Sequence, residues 1–102
     1  MTERLSPKHR TSELLDAALA LAGRTGWRGL TRDAIAAAAG VSPGLVSARL
    51  GTMDALRRSV MRAAVKRRVA RVVAEGLMAG DRYAQQADDA LRTEAALLLT
   101  TR

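Results

Sequence analysis

The side chains in this sequence that are best suited to specific contacts lie within one short segment, residues 43–50. Ser47 and Arg49 carry hydrogen-bond donors, and arginine can bind a guanine edge with two hydrogen bonds or bind a phosphate. Leu45 is an apolar group that fits a thymine methyl. Gly44 and Ala48 are small, so a helix that carries them can approach base edges closely. We therefore expect DNA recognition here, the alternative being that these residues simply face solvent.

Residues 31–50 predict the helix-turn-helix that would position these side chains. Gly40 ends the first helix, because glycine reaches the left-handed conformation of a C-cap without steric cost. Ala36 is small enough for two helices to cross closely, and Val41 is expected to be a buried plug after the turn. Ser42 is a good N-cap for a second helix whose first residue is proline. The register of these residues, rather than any one of them, carries the prediction.

A preceding helix is predicted to complete the head. It starts at Ser6-Pro7 or at Thr11 and runs to about Thr25, with Gly26 as its terminator. Trp27 is expected to pack as a lid at this corner rather than to stack on a base.

Thr52 is predicted to cap a long fourth helix over about residues 53–78. Two apolar seams follow this helix, displaced from one another around its axis. A helix with two seams has two partners, so we expect the first seam to close the head and the second to pack on something else. The arginines far along this helix are expected to be solvated. Those near its start are candidates for phosphate contacts.

A fifth helix is predicted over about residues 82–100, capped by Asp81. One short helix covers the second seam poorly, so we expect a dimeric bundle made from the fourth and fifth helices of two chains. The predicted dimer interface consists of Met61, Val65, Val69, Val72, Val73, Leu77, Tyr83, Ala87, Leu91 and Leu98.

Composition and charge limit the function classes. Apolar content without alternation, and only two aromatic residues, predict an all-α fold. The net charge is +7; residues 1–71 hold 14 Lys and Arg against five Asp and Glu, whereas residues 72–102 hold three against five. A basic front predicts a polyanionic partner. We expect no enzyme, cofactor or metal site, because His9 is the single histidine, cysteine is absent, and Asp88 and Asp89 point in different directions on a helix.

Three stretches, LLDAALALAGRTGW, LTRDAIAAAAGVSPGLV and TMDAL, resemble the DNA-binding domain of the tetracycline-repressor (TetR) family. The resemblance covers about residues 10–57 without gaps. It implies a three-helix head held by a fourth helix and bound as a dimer to a palindromic operator. It also implies that Thr31 and Arg32 lie at the DNA backbone or groove edge. Ser42, Pro43 and Gly44 would lie, with Ser47 and Arg49, on or beside the recognition surface.

The sequence departs from the family pattern at three positions. The family usually has Tyr at Ser47, Phe at Leu50 and Lys at Met53, and the tyrosine and lysine commonly hold phosphate in relatives. Family members also usually continue into a helical domain with a small-molecule pocket, whereas only one more helix is predicted here. We therefore carry over no inducer pocket and expect no small-molecule effector.

Together these observations predict a basic N-terminal arm (1–9), a TetR-like domain (10–64) and a helical dimerisation region (65–102). The predicted function is a dimeric, sequence-specific repressor in the bacterial cytoplasm, associated with the nucleoid and bound to double-stranded DNA. The alternative is a helical protein-interaction module with only non-specific nucleic-acid binding. Thr52 is added to the candidate DNA contacts. The candidate phosphate contacts are Arg4, Lys8, Arg10 and Arg28. Most of them lie in the N-terminal arm, for which a disordered solubilising tail is an equal alternative.

Overall fold

Seven helices make up the part of the chain that the computed structural model describes, residues 7–100, which contains no strand. They are α1 (Pro7–Thr25), α2 (Arg32–Ala39), α3 (Pro43–Leu50), α4 (Met53–Lys66), α5 (Ala70–Ala79), α6 (Arg82–Gln85) and α7 (Asp89–Thr100). The all-α prediction is confirmed. Because α1 already begins at Pro7, residues 7–9 belong to this helix and not to the predicted arm, and Arg4 lies outside the described residues.

Most of the residues that the sequence predicts as helix caps or terminators do bound the first four helices. Gly26 follows α1 with a φ of 91°, and Gly40 follows α2 with a φ of 70°, a region that favours glycine. The hydroxyl oxygens of Thr31, Ser42 and Thr52 each accept the backbone N–H of the residue three positions later, at 3.1, 3.2 and 3.1 Å. Local capping chemistry therefore sets these boundaries as the sequence predicts.

The predicted long fourth helix is wrong, because the chain turns back on itself at residues 67–69. The Trp27 indole N–H donates to the Arg57 carbonyl at 3.0 Å, and the Trp27 backbone N–H donates to the Glu75 carboxylate at 2.8 and 2.9 Å. In one continuous helix Arg57 and Glu75 would lie about 27 Å apart along the axis. One tryptophan reaches both, so α4 and α5 form an antiparallel helical hairpin.

Arg68 makes this reversal possible by adopting a φ of 58°, the one left-handed non-glycine residue that the described chain contains. The Val69 N–H then donates to the Ala64 carbonyl at 2.8 Å, and the Arg68 N–H donates to the Val65 carbonyl at 3.2 Å. This pair of hydrogen bonds is a Schellman ending, which satisfies the last carbonyl groups of α4. The same pattern ends α2 at Gly40 and α5 at Gly80, where glycine makes it recognisable in the sequence.

The predicted fifth helix is also interrupted, at residues 86–88. Asp81 caps α6 as predicted, accepting the Tyr83 and Ala84 N–H groups at 2.9 and 3.1 Å. Asp88 is not on a continuous helix, because its carboxylate caps α7 by accepting the Leu91 N–H at 2.8 Å. Its second contact is an ion pair with Arg68 at 2.6 Å. An ion pair thus links the turn between α4 and α5 to the interruption between α6 and α7.

The second apolar seam is buried inside a single chain, which removes the reason for expecting a partner there. The hairpin turns the seam towards α6 and α7, and α5 packs along α7. Of the residues predicted for a dimer interface, those buried within the chain are Met61, Val72, Val73, Ala87 and Leu91. Those half-buried are Val65, Val69, Leu77 and Tyr83, and the exposed one is Leu98.

Candidate nucleic-acid interface

The turn between α2 and α3 fixes the angle at which α3 stands on the head. The Val41 N–H donates to the Ala36 carbonyl at 3.0 Å, which closes the turn around Gly40. Ala36 is buried where α2 and α3 pack together, as predicted, whereas Val41 is half-buried rather than fully enclosed. The result is a helix-turn-helix with a defined geometry.

Helix α3 divides into a buried side and an uncovered side. Val46 and Leu50 are buried in the core beneath it. The opposite side is formed by small and polar residues that are exposed: Ser42, Pro43, Gly44, Ser47, Ala48 and Arg49. Leu45 lies between the two sides and is half-buried. An α-helix is about 10–12 Å across with its side chains, which matches a major groove about 12 Å wide.

The second end of the candidate surface is assembled by Arg32. Its guanidinium donates to the Gly51 carbonyl at 3.3 Å, which brings the start of α2 next to the junction of α3 and α4. Thr31, one position before Arg32, and Thr52, one after Gly51, flank the two ends of this contact, and both are exposed. Each lies at a helix N-terminus, the positive end of a helix dipole, which favours an anion.

Arg32 itself is half-buried, and its guanidinium contacts the protein backbone. Its Nε is enclosed without a hydrogen-bond partner among the described residues. One guanidinium nitrogen of Arg32 donates to the protein backbone, which favours a positioning role. Its contact with Gly51 holds α2 against the end of α3.

The three capping hydroxyl groups keep one capacity after capping. Thr31, Ser42 and Thr52 use an oxygen lone pair to accept a backbone N–H, so each hydroxyl hydrogen still has the option of being donated outwards. Serine and threonine hydroxyls commonly donate to phosphate oxygens. These residues are thus suited to the ends of the interface, and Ser47 and Arg49 to its centre.

The remaining candidate phosphate contacts are dispersed. Lys8 and Arg28 are exposed, one at the start of α1 and the other after its end, whereas Arg10 is half-buried. Residues 8 and 28 are separated by the length of α1, so they do not form one cluster with each other.

Glu75 supports the interface and was missed by the sequence reasoning. Both carboxylate oxygens accept the Trp27 N–H, and the side chain lies against Gly26. The contact joins α5 to the corner that precedes α2. Because 48 residues separate the two partners, no local pattern in the sequence reports it.

Residues 7–100 lack two other kinds of feature, a cluster of metal ligands and a membrane-spanning helix. No group of three or more His, Cys, Asp or Glu side chains is arranged there to hold a metal ion. None of the helices in that range has the length and apolar content needed to cross a membrane.

Comparison with known proteins agrees with the geometry of the head. Residues 14–60 match the family model described as "Bacterial regulatory proteins, tetR family". That range runs from within α1 to within α4 and includes the whole helix-turn-helix. No curated protein and no solved structure gave a significant match to the chain.

Proposed function

We propose that this chain, whose residues 14–60 form a helix-turn-helix domain of the TetR family of DNA-binding transcription regulators, is a sequence-specific repressor. It binds double-stranded DNA as a dimer, at a palindromic operator, in the cytoplasm of a bacterium. Repression results from occlusion of the promoter. The observation that carries the proposal is the uncovered face of α3, where Val46 and Leu50 anchor the helix and its small and polar residues remain exposed.

The α3 face supports direct base contact because few atoms stand between its backbone and solvent. Gly44 and Ala48 add almost no side-chain bulk, so the helix fits deep in a major groove. Arg49, at the flank, then reaches a guanine edge or a phosphate, and Ser47 reaches a base edge. Leu45 contributes an apolar contact at the edge of the same face.

Phosphate contacts are assigned to the ends of this surface. Thr31 and Thr52 lie at the N-termini of α2 and α4, where hydroxyl donors and helix dipoles favour an anion. Ser42 occupies the equivalent position at the start of α3. Helix α3 has eight residues, which span about 12 Å, so these contacts bracket the base-reading segment.

The central test begins with DNA selected from random sequence by the purified protein, followed by footprinting. A protected site with two-fold symmetry is expected, with half-sites about 34 Å apart or somewhat more. A uniform, steeply salt-dependent affinity for every DNA would instead favour the alternative, a helical interaction module with non-specific nucleic-acid binding.

Arg49→Ala tests the recognition face directly. We expect it to weaken operator binding by about 1–3 kcal/mol while leaving affinity for unrelated DNA nearly unchanged, since a base contact is lost. Arg92→Ala is the control, because Arg92 lies on α7 and pairs with Asp89. If both variants bound the operator with the affinity of the original protein, Arg49 would be removed from the contacts.

A further inference from the structure

A groove of about 1030 Å³ lies between α1, α4 and α6, away from the α3 face. Its apolar part is formed by Leu15, Ala63 and Val65, with the Tyr83 ring at one side. Leu15, Val65 and Tyr83 are all half-buried, so apolar surface remains accessible inside the groove. The volume is at the upper end of the range for small-molecule sites, about 300–1,000 Å³.

The polar lining of the groove is cationic. Lys8, Arg62 and Lys66 line it, and no carboxylate does. None of these three side chains forms an ion pair with any carboxylate in residues 7–100. Arg67, a fourth cation at the rim, is already paired with Asp16. No carboxylate among the described residues therefore balances the positive charge of Lys8, Arg62 and Lys66 in the groove.

Arg62 is held in a defined position at the groove. Its guanidinium carbon lies 5.3 Å from the centroid of the Tyr83 ring, within the range of a cation–π interaction. Lys66 follows Arg62 by one helical turn, so both charges project from the same side of α4. A planar donor on an aromatic ring next to an ammonium group matches the geometry of a carboxylate.

We propose that this groove binds an organic anion with an apolar body, a carboxylate attached to an acyl chain or a ring system. The carboxylate binds Arg62 and Lys66, and the apolar body covers Leu15, Ala63 and Val65. A bare phosphate or a nucleic-acid backbone fits less well, because it leaves that apolar surface uncovered. The proposal does not rest on the DNA-binding function, since the groove is complete without DNA.

Decanoate is a suitable probe, used below its micellar concentration on the full chain without DNA. Calorimetry gives the affinity, and amide chemical shifts locate the ligand. We expect saturable binding with shifts centred on Ala63, Lys66 and Tyr83. Decanol, which lacks the charge, and acetate, which lacks the apolar chain, are each expected to bind at least about tenfold more weakly, a difference near 1.4 kcal/mol.

The double variant Arg62→Gln with Lys66→Gln is expected to bind decanoate at least about tenfold more weakly than the original protein, because charge-assisted hydrogen bonds are lost. Arg58→Gln is the matched control, since Arg58 lies on the same helix and is exposed outside this groove. All three side chains in these variants are exposed, so unchanged circular dichroism and melting temperature are expected to accompany the effect.

Several results would overturn the assignment. Equal binding of decanol would reduce the groove to a non-specific apolar surface, and unchanged affinity in the double variant would remove the cations from the site. Shifts confined to the exposed leucines of α7 would place the ligand elsewhere. Displacement of decanoate by any duplex DNA, with shifts at the same amides, would assign the groove to the nucleic-acid backbone. Absence of decanoate binding would reject the proposal.

Discussion

Gly76 lies where α4, α5 and α6 meet, and it is buried. A Cβ atom added there would lie 2.7 Å from the Ala84 Cβ and 2.6 Å from the Met61 Cε. Met61 has a flexible end but is fully buried, and Ala84 has no side-chain freedom. The absence of a side chain at Gly76 is thus a condition for the close approach of these helices.

Gly76→Ala is accordingly expected to lower the free energy of unfolding by about 1–3 kcal/mol, the usual range for overpacking a filled core. Denaturant unfolding measures this change. Gly23→Ala is the matched control: Gly23 is also helical, but nothing lies within 4 Å of its added Cβ. The control is expected to be neutral or to stabilise by about 0.5–1 kcal/mol. Similar destabilisation by both substitutions would contradict the crossing at Gly76.

Arg32→Met tests whether this arginine positions α3 or binds DNA. Loss of the hydrogen bond to the Gly51 carbonyl is expected to lower the free energy of unfolding by about 0.5–1.5 kcal/mol. The salt dependence of DNA binding should stay the same, because no phosphate contact is lost.

Arg28→Met is the counterpart on an exposed residue. It is expected to leave stability unchanged and, as a phosphate contact, to reduce the slope of log K against log salt by about one unit. A reduced slope in Arg32→Met, with unaltered stability, would return Arg32 to the DNA contacts that the resemblance implies.

At the scale of elements, an exposed ion pair between Arg68 and Asp88 links the turn of the α4–α5 hairpin to the segment between α6 and α7. Arg68 and the N–H of Leu91 hold the pKa of the Asp88 carboxyl well below its ordinary value of 3.8, at about 2. Asp88 in turn raises the pKa of Arg68. A carboxyl group whose pKa is lowered by folding stabilises the fold above its unfolded pKa and loses that effect as the pH falls through its folded pKa.

Asp88→Asn isolates this charge, because asparagine remains a good N-cap for α7. We expect the variant to melt at a lower temperature than the original protein near neutral pH. The difference should shrink as the pH falls from about 4 to about 2, where the original carboxyl becomes protonated. Thermal melts across that range measure it, and a difference that is independent of pH would exclude the ion pair as its cause.

The two interrupted helices show what a helical pattern leaves undecided. Glycine marks the Schellman endings at Gly40 and Gly80, and both are readable in the sequence. The third ending uses Arg68, whose left-handed conformation carries no residue signature. The two apolar seams of residues 53–78 do have two different partners, as predicted, but both partners are helices of the same chain.

At the scale of the whole molecule, burial of the second seam moves the proposed dimer contact to other residues. Leu97, Leu98 and Leu99 on α7 remain 43–60% exposed. Leu98 is the one of these that the sequence had also assigned to an interface. Glutamate at Val69 or Val73 would not test dimerisation, because Val73 is fully buried and Val69 half-buried within the chain, so the substitution would destabilise the fold.

Leu98→Glu is the test that the fold supports. Sedimentation at micromolar concentration is expected to give the original protein a mass near twice its chain mass of 10.9 kDa, and the variant the mass of one chain. Met78→Glu, on α5 and more exposed to solvent than Leu98 (74% against 47%), is expected to leave the dimer intact. A single-chain mass for the original protein would remove the dimer from the proposed function.

The sequence by itself determined the head of this protein, residues 31–52 above all. Its boundaries depend on N-caps and a left-handed glycine, which act over three or four residues and are therefore visible locally. Only the tertiary structure decided the second half. The reversal at Arg68, the bond from Glu75 to Trp27 and the closure of the apolar seam each join residues distant in sequence, and hydrophobic periodicity reports which face is buried without reporting against what.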